Sequence, residues 1–134
     1  MTLQTHWFGV SLANTATEWQ GDTIAMPIFR APPTLQGGGV TIIDAFYWDA
    51  AAGGAGTAFS LSLLNYGTAG TASAGTVAAP IGGTADPFAA GVPKAFVISN
   101  GFIAAGEYVF LYKDETNSSD PARGFVGGHY QMGE

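Results

Sequence analysis

β-Branched and aromatic residues gather in short stretches along this chain, separated by Gly, Pro and Asn, and at 57–63 apolar and polar positions alternate with a period of two. The most pronounced is residues 39–66, GVTIIDAFYWDAAAGGAGTAFSLSLLNY. It opens on β-branched and aromatic residues at 40–48, passes through Ala and Gly at 50–56, and resumes as an alternating segment at 57–63. That pattern predicts two strands joined by a small-residue turn, a core hairpin around which the rest is arranged. In 57–63, Phe59, Leu61 and Leu63 point one way and Ser60 and Ser62 the other, so one face is core. Residues 40–49 are apolar on both faces: Val40, Ile42, Phe46 and Trp48 share one, interrupted by Asp44, while Ile43, Ala45 and Tyr47 share the other. Such a strand is covered on both sides, or covered on one and offered to a sister subunit on the other.

The remaining segments fit the same scheme. Residues 3–12 (LQTHWFGVSL) predict a first strand, bent or bulged at Gly9. Residues 23–30 (TIAMPIFR) predict a second, at a sheet edge or bulge because Pro27 has no N–H to donate. Residues 66–93 are a long connection of small residues with a weak strand at 76–81. Strands follow at 94–99, 107–113 and 125–132, with a hairpin-type turn at Asn100–Gly101 and a polar loop at 114–123. No segment has the caps or periodicity of a helix. Seven to eight short strands without a helix predict an all-β fold: one antiparallel β-sandwich domain over residues 1–134, jelly-roll-like.

Composition adds a constraint on the surface. Only 10% of residues are charged, less than half of the roughly 25% usual in soluble domains. With 13% aromatics and 20 glycines, this favours a surface packed against other protein. The net charge of −6, with Arg30, Lys94, Lys113 and Arg123 as the only cations, argues against phosphate-backbone binding, so no nucleic-acid partner is expected. Absence of cysteine removes disulfides, thiolate metal sites and thiol nucleophiles. Residues 50–85 carry no charge over more than a membrane span, but their large apolar residues are sparse and Pro80 interrupts them, so no membrane partner is expected either. The first fifteen residues lack the features of a signal peptide, which predicts use without classical export.

Candidate chemistry is thin. His6 and His129 fall in the first and last predicted strands and could share a metal, but no third ligand accompanies them. Asp114, Glu115, Asn117, Ser119 and Asp120 form an oxygen-rich loop that lacks the glycine and terminal glutamate of a calcium loop. No serine sits in a nucleophile turn and no glycine cluster is followed by a phosphate-binding lysine. No catalytic, cofactor or metal residue is therefore nominated, and an enzyme is not expected. Trp7, Trp19 and Trp48 could stack on sugar rings or anchor an interface. Trp19, between Glu18 and Gln20 in a loop, is the best placed; with Trp7 and Tyr47 it forms the set of candidate interface residues.

The Gly/Ala/Thr/Ser-rich, acidic, cysteine-free chain resembles the capsid decoration (cement, auxiliary head) proteins of tailed bacteriophages and related virion β-sandwich proteins. The likeness rests on the strand–AAAGGAGTA–strand unit, the GGTADPFAAGVPKAF connection and AGEYVFLYKDE near the end. The resemblance implies a structural virion protein made in the host cytoplasm and placed on the capsid surface. It would form a homo-oligomer, a trimer by family habit, that bridges and stabilises subunits of the major capsid protein. Residues 1–20 and 66–93 would supply contacts. A tail-fibre or receptor-binding domain that binds carbohydrate is the alternative.

Overall fold

The computed structural model describes residues 4–12, 23–33, 38–49, 59–70, 79–85, 89, 91–115 and 124–132. Among these there are ten strands and no helix: β1 (Gln4–Leu12), β2 (Thr23–Arg30), β3 (Val40–Asp49), β4 (Phe59–Asn65), β5 (Ala79–Ala85), β6 (Lys94–Ala95), β7 (Val97–Ile98), β8 (Phe102–Ile103), β9 (Tyr108–Glu115) and β10 (Gly124–Met132). They form two antiparallel sheets. The first has the order β1-β10-β3-β6, with β8 also on β3, and the second β2-β9-β4-β5-β7. Pairing is nested: β1 with β10, β2 with β9, β3 with β6 and β8, β4 with β5. This is one long antiparallel ribbon, rolled so that β10 meets β3 and β9 meets β4, which is the jelly-roll arrangement.

Rolling the ribbon separates β3 from β4. They lie in different sheets, so residues 39–66 are not a hairpin. The predicted turn itself, residues 50–56, lies outside the described residues. The same topology explains why more strands exist than the pattern predicts. Residues 94–103 do not form a strand and a hairpin turn; they alternate between the sheets, β6 and β8 on β3 and β7 on β5. Phe96 N donates to Ala45 O (2.8 Å), Ile42 N to Gly101 O (2.8 Å) and Ser99 N to Ile81 O (2.9 Å), tying both sheets to one segment. Gly82 and Gly101 allow the close approach, because a Cβ on either would overlap the carbonyl oxygen of Val97 or Ile42.

The core lies between the sheets. Phe8, Val40, Ile42, Ala45, Tyr47 and Val126 face it from the first, and Leu61, Leu63, Ile81, Val109 and Leu111 from the second. The parity of β4 matches the sequence pattern: Leu61 and Leu63 are buried and Ser60 and Ser62 partly exposed. In β3 the pattern fails at one residue. The register with β10 runs from Asp44↔His129 to Ile42↔Tyr130, so Ile43 is an extra, bulged residue. Val40 and Ile42 point inward before the bulge and Ala45, Tyr47 and Asp49 after it, while Phe46 and Trp48 turn outward. Gly9, by contrast, is in an unbroken register with β10 and makes no bulge. Pro27 behaves as its chemistry requires, in an outer strand beside a register shift.

Among the described residues, two charged side chains are inside. Asp49 closes β3 and Lys113 sits near the end of β9, and both are buried. Tyr47 Oη donates to Asp49 Oδ2 at 2.6 Å, a charge-assisted bond that offsets part of the carboxylate's desolvation. Tyr47→Phe leaves that buried acceptor short of one donor and lowers the unfolding free energy by about 1–3 kcal/mol. Leu111→Ala, which opens a cavity at the centre, costs about 2–5 kcal/mol. Urea unfolding followed by circular dichroism reads both losses.

Candidate functional site

The outer face of the first sheet is the candidate site. Its registers align three outward positions on each of three strands: Trp7, His129 and Asp44 in one row, Gly9, Gly127 and Phe46 in the next, Ser11, Phe125 and Trp48 in the third. At the centre of this array is Gly127, which has no side chain. Three rings close over the space: Trp7 to Phe46 is 5.8 Å between centroids, Phe46 to Phe125 5.9 Å, and Trp7 to Phe125 6.0 Å with planes 13° apart. A Cβ on Gly127 would lie 2.6 Å from Phe125 Cε1 and 2.8 Å from Trp7 Cη2. Gly9 is covered in the same way, since a Cβ there would lie 2.5 Å from Phe125 Cζ. The glycines make a shallow seat, and the rings restore the apolar cover that glycine gives up.

Trp7 remains 53% exposed, and the neighbouring bulge residue Ile43 is exposed as well. Beside the rings, Phe46, Trp48 and Phe125 line a groove of about 310 Å³ with Ser11 and Gly124. At the opposite end the array is polar. The bulge turns Asp44 toward His129, and Asp44 Oδ1 accepts from the His129 backbone N–H (3.0 Å) while lying 2.9 Å from His129 Nδ1. The imidazole also meets the Trp7 ring edge-on at 5.2 Å. The face is thus an apolar aromatic floor with one polar rim, suited to contact and stacking. Among the described residues no three His, Asp or Glu side chains gather to hold a metal ion.

Of the sequence-derived candidates, Trp7 is in the array and Trp19 lies outside the described residues. Tyr47 is corrected: it is fully buried, on the core side of the β3 bulge, and presents no surface to a partner. Its neighbours Phe46 and Trp48 face outward instead. His6 and His129 do lie on adjacent strands, but on opposite faces, because His6 pairs with Tyr130 and His129 with Trp7. His6 stacks on Tyr130 at 5.3 Å. Of the oxygen-rich loop, residues 116–120 lie outside the described residues. No single segment of the sequence marks Phe46, Phe125 and Gly127; the signal that carries them is the shared i, i+2 spacing in Trp7-x-Gly9-x-Ser11, Phe125-x-Gly127-x-His129 and Asp44-x-Phe46-x-Trp48.

No protein-family model matches the chain, and no curated protein or solved structure matches it significantly.

The two central glycines of β10 differ in what confines them. A Cβ on Gly128 would overlap the backbone carbonyl of Asp44 and lie 2.8 Å from Ala45 Cα, where nothing can yield cheaply. Gly128→Ala therefore lowers stability by about 1–3 kcal/mol. Gly127→Ala meets only ring edges, costs less, and lifts Trp7 and Phe125. Its signature is a changed near-ultraviolet circular dichroism spectrum with the far-ultraviolet spectrum retained.

Proposed function

We propose that this protein is a non-enzymatic structural component of a virion, attached to the capsid surface through the aromatic face of its first sheet and bridging subunits of the major capsid protein. The observation that supports this reading is the Trp7–Phe46–Phe125 triangle, a half-exposed aromatic cluster on a rigid sheet in a chain with little charge. Aromatic anchors of this kind carry a large share of the energy at protein interfaces. A sandwich that binds the assembled shell and not its free subunits stabilises the shell by mass action. Attachment as an oligomer multiplies modest single-site affinities. β1 is a nine-residue strand of the sheet, so residues 4–12 act here as part of the face rather than as a separate arm.

Co-sedimentation with shells lacking the protein tests the proposal. Trp7→Ala with Phe125→Ala weakens attachment by about thirtyfold, the loss of roughly 2 kcal/mol expected of an interface anchor. Undiminished attachment of the folded double variant would exclude this face as the contact.

A second reading is favoured by one feature. The near-parallel Trp7 and Phe125 rings lie beside the His129–Asp44 pair, which places stacking surface next to hydrogen-bonding groups, as pyranose rings require. This arrangement suits a carbohydrate-binding tail-fibre or receptor-binding domain. Glycan-array binding that disappears with Trp7→Ala would favour it over capsid attachment.

A further inference from the structure

Each sheet ends in two outer strands. On one side of the sandwich these are β6 and β7, which belong to the single segment that ties the sheets together. On the other side they are β1 and β2, and among the described residues neither has a partner along its second edge. An unpaired edge is a template for another chain unless something blocks it. β2 is blocked: Pro27 lacks a donor, the register shifts between Pro27 and Phe29, and Arg30 brings charge. β1 is not. Its nine residues, QTHWFGVSL, include no Pro, Lys, Arg, Asp or Glu, and its nine consecutive pairs with β10 contain no bulge.

We propose that β1 pairs antiparallel with β1 of a second copy of this chain about a two-fold axis, merging the two first sheets into one. Directly opposed residues in such a pair share a face, so only residues of equal parity can oppose each other. Among the registers this allows, the one centred on Phe8 engages all nine residues. It sets Trp7 opposite Gly9 of the second copy, Thr5 opposite Ser11, His6 opposite Val10 and Gln4 opposite Leu12. The largest exposed side chain of the strand lies opposite a position that carries no side chain of its own and is covered by the edge of Phe125, a ring on which it can pack, twice by symmetry, and no like charges oppose each other. A strand that complements itself in this way selects a second copy rather than an unrelated partner, and it gives the isologous contact commonest among homo-oligomers. The three-fold symmetry implied by the decoration-protein resemblance cannot pair β1 with itself. The pairing stands independently of what the aromatic face binds.

Sedimentation velocity over a concentration series, with circular dichroism to verify folding, tests it through Thr5 and Ser11, both exposed on the outer face. The wild-type chain sediments as a dimer. Thr5→Lys with Ser11→Lys opposes lysine to lysine twice and weakens association by at least about tenfold. Thr5→Lys with Ser11→Glu opposes lysine to glutamate twice and returns association to within a few-fold of wild type. A wild-type monomer or trimer, or equal association of the two charge variants, overturns the pairing. Should the double-lysine variant fail to fold, a mixture of Thr5→Cys and Ser11→Cys chains decides. The register brings the two positions within about 5 Å, so oxidation yields a cross-linked heterodimer, in a chain that otherwise has no cysteine. Absence of that cross-link also overturns the pairing.

Discussion

Strand β10 has to be thin. It is paired along its whole length with β1 on one side and β3 on the other, and at Gly127 and Gly128 it is bare on both faces. Inward, Gly128 lets the backbone of β3 and the ring of Phe8 come close; outward, Gly127 lets Trp7 and Phe125 lie low across the sheet. Glycine in a strand interior forgoes side-chain packing and costs conformational entropy. Here the surrounding rings supply the packing instead. The core face therefore depends on Gly128 and the aromatic face on Gly127, adjacent residues of the same strand.

Much of the fold was legible because strand periodicity is local. The limits of β2 and β3, the buried Leu61 and Leu63, and the outer position of Pro27 follow from residue chemistry within a few positions. What escaped is non-local. A small-residue link such as 50–56 suits a tight turn as well as a crossover, and only pairing with β10 and β9 decides that β3 and β4 part. The zigzag of residues 94–103 between two sheets has no periodic signature at all. The Ile43 bulge is the most consequential case. With a period of two, one inserted residue exchanges the faces of everything after it. It carries Tyr47 inward to Asp49 and sends Phe46 and Trp48 outward, reversing the assignment of interface aromatics that uninterrupted alternation implies. The aromatic array was invisible for a related reason: its members are contributed by three strands distant in sequence, and no one of them is unusual by itself.

The outer aromatic face and the unblocked β1 edge meet at Trp7, which belongs to both. A sheet continued through paired β1 strands would set two such faces side by side with no gap in the backbone. Two sites fixed on one rigid platform bind a repetitive surface with far greater retention than either alone, provided that the spacing matches. Low charge suits this arrangement, since a surface destined to be covered gains nothing from ionic groups that must be stripped of water.

The stitching of residues 94–103 has a mechanical corollary. Both sheets are bound to this segment along one side by backbone hydrogen bonds, whereas on the other side β1 and β2 meet through side chains, with Phe8 and Phe29 5.7 Å apart between ring centroids. The sandwich is therefore bound like a book, with residues 94–103 as its spine and the rings of Phe8, Phe29 and Tyr130 as a clasp near the opposite edge. Truncating a ring of that clasp would loosen the layers at this edge while the backbone bonds of the spine stayed in place.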